Sequence, residues 1–158
     1  MRTSFRHAGF SLVEVMVVTL VLGITLAAAV PAFSRFMQSS NLDSASKQVS
    51  GHMKLARSTA IAEGVPYLVQ WSNVNWYFII RDDNADGTYS GGEPYTGPYW
   101  FPKGITSQNP QGFNSINIGF LPNGTTSQQC SWELVNKKEN TITMTLLSST
   151  GQVLIDKG

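Results

Sequence analysis

Gly9-Phe10-Ser11-Leu12-Val13-Glu14 opens a run that carries no further charged side chain from 15 to 34 and meets its first proline at Pro31. From Phe10 to Val30 the run is 21 residues long, close to the ~20 needed to cross a ~30 Å hydrocarbon core. Arg2 and Arg6 precede it, and basic flanks of this kind stay on the cytoplasmic side. Three readings fit: a cleaved secretory signal, a plain signal anchor, or a more specialised membrane helix. A secretory h-region spans about 7–15 residues before a small-x-small site. This run is longer, although Ala27-Ala28-Ala29 supplies such a site. Glu14 is the residue that separates the readings. A carboxylate at mid-membrane costs about 2.5–3.5 kcal/mol on insertion scales and needs a partner. At its depth Glu14 could equally lie among lipid headgroups, so on these residues alone both roles stay open.

Outside this run the chain has the composition of one ordinary domain. It is 158 residues long, with 11 Lys plus Arg against 10 Asp plus Glu and a net charge of +1. Charged residues make up 13%, about half the roughly 25% usual in soluble domains. Cys130 is the one cysteine, and His7 and His52 are far apart. These counts exclude a disulfide scaffold, a zinc finger and a basic nucleic-acid module.

Beyond Pro31, which should kink or loosen a helix, helical patterning resumes. Phe33, Met37, Ala45, Val49, Met53, Ala56 and Ala60 form one apolar stripe, with Lys47, Lys54 and Arg57 off it. The stripe slackens over 38–41, which predicts a weak point there. Glu63-Gly64-Val65-Pro66 supplies the stop. After it come short β-rich runs at 67–71, 75–81, 99–101, 117–121, 131–135, 141–147 and 152–156. Turn residues separate them, and Asn123-Gly124 is the clearest hairpin signal. The expected class is α+β: a long N-terminal α-helix, membrane-spanning in its first half, packed on an antiparallel β-sheet head.

The string Gly9-Phe10-Ser11-Leu12-Val13-Glu14 resembles the processing site of type IV prepilins and type II secretion pseudopilins. That resemblance implies a leader at 1–9 removed by prepilin peptidase between Gly9 and Phe10, with methylation of the new N-terminal Phe10. It implies a membrane and filament-core helix at 10–31 and a periplasmic or extracellular head at 32–158, helical over 32–63 and β over 65–158. Glu14 would then neutralise the terminal amine of a neighbouring subunit, a buried pair where a lone charge would not be tolerated. Leu55-Ala56-Arg57-Ser58-Thr59-Ala60-Ile61-Ala62-Glu63-Gly64-Val65-Pro66 is similar to the helix-to-strand junction of H-type pseudopilins and T-type fimbrial minor pilins. Phe120-Leu121-Pro122-Asn123-Gly124 and Ser149-Thr150-Gly151-Gln152-Val153 resemble strand-turn segments of the same family. The implied protein is a structural subunit of a type IV pilus or type II secretion pseudopilus, serving filament initiation at the tip or protein secretion. Its partners would be prepilin peptidase, other pilin-type subunits and the bacterial inner membrane, crossed once with a cytoplasmic leader and a periplasmic head.

The head offers little catalytic chemistry. No Ser-His-Asp or Cys-His arrangement is available, so an enzyme is not expected. His52, near the stripe, reads as a structural histidine, and Cys130 as a small hydrophobe. The aromatics Trp71, Trp76, Tyr77, Phe78, Tyr95, Tyr99, Trp100 and Phe101 read as a filling layer between helix and sheet, with a ligand platform as the less common use. A related role, DNA binding for natural transformation, is the alternative function. Residues 32–158 hold nine basic and nine acidic side chains, which argues against a nucleic-acid partner. One motif carries metal chemistry: Asp82, Asn84, Asp86, Gly87 and Glu93 satisfy D-x-[DN]-x-[DN]-G-x5-E. The cofactor expected there is Ca²⁺, held by Asp82, Asn84, Asp86 and Glu93. The competing reading is an acidic turn whose carboxylates are solvated.

Overall fold

The computed structural model describes residues 11–108 and 117–157. The chain divides into two compact units, Met1–Met37 and Gln38–Gly158. One helix, α1 (Leu12–Glu63), runs through Pro31 and through 38–41. The helix is unbroken over 38–41, where the stripe slackens, and the boundary between the two units falls at its start. A proline removes one N–H donor from the ladder, and the turns on either side hold the helix together. The helix ends where the sequence places the stop: Gly64 takes φ +70, and its amide donates to the Ala60 carbonyl at 3.0 Å. Only a residue free of a Cβ adopts that left-handed cap without strain.

The described part of the N-terminal unit is helix alone. Its large apolar side chains, Leu12 through Met37, are all exposed. This corrects the expected stripe at its start, because Phe33 and Met37 are exposed as well. They belong to a unit that has no second layer among its described residues.

The second unit has a core. Leu42, Ala45, Val49, Met53, Ala56 and Ala60 of α1 are buried together with strand residues. Small residues on this stripe, Ala45, Ser46, Ser50, Ala56 and Ala60, leave room for a sheet to approach the helix closely. Eight strands follow: β1 (Tyr67–Asn73), β2 (Trp76–Arg81), β3 (Tyr95–Trp100), β4 (Ile105–Gln108), β5 (Asn117–Phe120), β6 (Cys130–Asn136), β7 (Thr141–Leu147) and β8 (Gln152–Lys157). They form two four-stranded antiparallel sheets, β3-β2-β1-β5 and β4-β6-β7-β8, where one sheet was expected. Strand β4 was not expected at all. Its four residues, Ile-Thr-Ser-Gln, carry too little pattern to announce a strand, and it exists through pairing with β6. Val69, Trp71, Tyr77, Ile79, Ile118 and Phe120 bring the first sheet to the core, and Trp132, Leu134, Ile142, Met144 and Leu146 bring the second. Asn123-Gly124 does make a tight turn, with the Gly124 amide on the Leu121 carbonyl at 2.9 Å. It closes on one isolated bridge, Phe120↔Thr126, instead of a full hairpin ladder.

Candidate functional site

Gly9 and Phe10 lie outside the described residues. Glu14 stands in the first turn of α1, where a carboxylate is favoured by the helix dipole. Its neighbours in the run dispose of their own polarity. Thr19 donates its hydroxyl to the Met16 carbonyl at 2.9 Å, and Thr25 donates to the Val21 and Leu22 carbonyls at 3.0 and 2.9 Å. Glu14 is left as the polar group of this stretch with no partner among the described residues. The helix here is long and apolar enough to cross a membrane.

The 82–93 motif joins β2 to β3, and its four named residues do share one loop. Their oxygens point at the loop's own N–H groups. Buried Asp82 accepts from the Asp86 amide at 3.2 Å and the Gly87 amide at 2.9 Å. Asn84 accepts from the Asp86 amide at 3.1 Å. Asp86 accepts from the Thr88 amide and hydroxyl at 2.7 and 2.8 Å, and from the Asn84 side-chain amide at 2.9 Å. Glu93 accepts from the Asp83 and Ser90 amides at 3.1 and 2.8 Å. The bonds from Thr88 hold the Asp86 carboxyl below its ordinary range. Arg81 sits 3.0 Å from Asp83 and 3.4 Å from Glu63. Among the described residues no three or more Asp, Glu, His or Cys groups are arranged to hold a metal ion. The ligand types suit Ca²⁺, but each would have to exchange an N–H donor for the ion.

His52 is half-buried, with its Nδ1 2.8 Å from the Tyr77 hydroxyl and its ring 4.1 Å from that of Tyr99. Burial lowers its pKa. Burial pushes the Cys130 thiol up to about 11, away from the thiolate form that acts as a nucleophile. The aromatics divide between two faces. Trp71, Tyr77 and Phe101 are buried, whereas Tyr95 and Trp100 are exposed. Phe78, Tyr89 and Tyr95 line a cleft of about 230 Å³ together with Gln70, Ser72 and Ile80.

One residue was underrated by its place off the stripe. Arg57 donates its Nε–H to the Gly124 carbonyl at 2.8 Å. Gly151 (φ +61) packs against both; a Cβ there would stand 2.8 Å from the Gly124 oxygen and 2.9 Å from Arg57. The three sequence segments around 55–66, 120–124 and 149–153 thus meet at this arginine. Two turn glycines far apart in sequence were the available signal.

A family model described as "Type II transport protein GspH" matches residues 45–151, and one described as "Prokaryotic N-terminal methylation motif" matches residues 4–30. No curated protein matches the sequence. Among solved structures, the minor pseudopilin EpsH from the Type 2 Secretion System of Vibrio cholerae is similar with a TM-score of 0.57. Identity is 11%, over 74% of this chain and 97% of that one. The type IV minor pilin FimU of Pseudomonas aeruginosa is similar with a TM-score of 0.58 and 15% identity, over 77% of this chain and 92% of that one. At these identities the two likenesses bear on the fold, a pilin fold of one long helix on antiparallel sheets.

Proposed function

The chain belongs to the family of the type II transport protein GspH, and from that premise we propose how this minor pilin or pseudopilin subunit works. Proteins of this kind are structural subunits, not enzymes. The leader is cut between Gly9 and Phe10 by prepilin peptidase and Phe10 is methylated, a reading supported by the N-terminal methylation motif over 4–30. The apolar helix holds the subunit in the bacterial inner membrane, leader in the cytoplasm and head in the periplasm. The same helix then moves into the core of a filament, where the subunit serves initiation at the tip or protein secretion.

The observation that carries this reading is the surface of α1 from Leu12 to Met37, apolar and exposed all along. Such a surface is stable only among lipid tails or among copies of the same kind of helix. Glu14, the one acidic residue of this stretch and unpartnered among the described residues, supplies the register: a buried carboxylate is tolerated beside an ammonium group and costly without one. Glu14→Ala should leave membrane insertion intact and lower recovery in sheared filaments by at least about fivefold. Fractionation and filament shearing measure the two separately. Full incorporation of the variant would contradict the pairing.

A further inference from the structure

Each of the two sheets has two outer strands, and three of these four edges are blunted. On β5, Gly119 exchanges bonds with Ser127: the Ser127 amide donates to its carbonyl at 2.8 Å and its own amide donates to Ser127 Oγ at 3.1 Å. On β4, the Ser107 amide donates to the Val74 carbonyl of the β1–β2 turn at 2.7 Å. On β3, Pro98 lacks an N–H and a register shift interrupts the pairing with β2. Charge, proline, bulges and covering loops are the ordinary means by which proteins stop an edge from recruiting another strand.

Strand β8 has none of these over its first four residues, Gln152-Val153-Leu154-Ile155. It pairs with β7 in unbroken register, from Leu147↔Gln152 to Ile142↔Lys157. An antiparallel strand directs alternate N–H and C=O groups to each side. Among the described residues the backbone of β8 has no main-chain partner besides β7. Leu154 and Ile155 are 53% and 40% exposed, and as neighbours in a strand they point to opposite faces. A groove of about 430 Å³ runs beside the start of this edge, with Lys54 and Arg57 of α1 among its lining residues together with Gly151, Gln152 and Val153. Among the described residues, none that is acidic lines it.

We propose that β8 is a strand-addition site, taking an extended segment of another pilin-type subunit as a fifth strand of the second sheet. The segment is apolar where it passes Leu154 and Ile155, and carries an acidic residue at the end that reaches Lys54. Backbone bonds supply the affinity in this mode and the flanking side chains supply the choice of partner. The proposal rests on the reading of the chain as a filament subunit, but its test does not involve filaments. Loss of peptide binding would leave that reading in place, and failed assembly would leave the peptide result in place.

The test uses the full chain in detergent micelles and a fluorescent Val-Thr-alternating peptide with two glutamates at one end. Binding should slow amide exchange within residues 152–156. Methylating alternate backbone nitrogens of the peptide on its bonding edge should weaken binding at least about tenfold, since it deletes donors without altering the protein. Lys54→Glu should weaken the acidic peptide several-fold and favour a version with lysines in place of the glutamates. Absence of binding, equal binding of the methylated peptide, or protection elsewhere than β8 would overturn the proposal.

Discussion

From Leu12 to Met37 the helix exposes apolar side chains on every side, whereas from Leu42 to Ala60 it buries them along one stripe. The backbone is the same and continuous; the difference lies in what each half is built to face. The second half finds its neighbours within the chain, in two sheets that cover a stripe of alanines, serines and a few larger residues. The first half is exposed among the described residues, and its threonines turn their hydroxyls back onto their own helix. One half is a component of a folded head and the other is a surface kept for lipid and for other helices.

Deleting methylenes from each half in turn is the strongest way to break this comparison. Met53 is 1% exposed at the centre of the buried stripe, and Met53→Ala should destabilise the head by about 2–5 kcal/mol. Leu22→Ala, on the exposed half, should change the same unfolding transition by less than about 0.5 kcal/mol. Denaturant unfolding of the full chain in detergent, followed by the fluorescence of buried Trp71 and Trp132, reads both. Equal losses would erase the distinction between the two halves.

Protonation sharpens it at the next level. His52 faces the head, and burial lowers its pKa below 6.5. The folded head thus prefers the neutral ring. Its contribution is present above the unfolded value near 6.5 and is lost as pH falls below that value toward the folded pKa. The head should melt at a lower temperature at pH 5 than at pH 7.5, and His52→Gln should flatten part of that slope. An unchanged slope in the variant would remove His52 from the account.

Ca²⁺ makes the smallest expected difference. We propose that the 82–93 loop takes the ion weakly, because its carboxylates already hold amides. At a concentration equal to a dissociation constant in the ~1 mM class, one site adds about 0.4 kcal/mol. Thermal unfolding in Ca²⁺, Mg²⁺ or chelator should show a small rise with Ca²⁺ alone that Asp86→Ala abolishes. Identical melting in all three reduces the loop to a turn closed by its own amides.

Much of this contrast is legible in the sequence. The uncharged run, the stripe from Ala45 to Ala60 and the stop at Glu63-Gly64 are strong periodic or punctuated signals, and the helix follows them. Strand β7 keeps its expected bounds because Ile142, Met144 and Leu146 alternate cleanly. The division into two sheets was not legible, since it depends on which strand pairs with which across long loops. Strand β3 was foreseen only in part, over 99–101, because Gly97-Pro98 weakens the strand pattern before it while pairing with β2 makes Tyr95–Trp100 a strand. At the 82–93 loop, spacing gave the four residues but could not give the direction of their oxygens, which the left-handed Ala85 and Gly87 decide. Arg57 shows the same limit, because its role comes from two turns that meet only in the folded head.

The central claim is that the half from Leu12 to Met37 is retained in the mature subunit as its membrane and filament helix. Intact-mass analysis of the chain recovered from the membranes of the producing cell tests it most directly. The account predicts a mature chain that begins at Phe10 and carries one added methyl group on its terminal amine, with Gly9→Val leaving the leader attached. A mature chain that begins after Ala29 would contradict it, because the apolar half would then be a discarded signal.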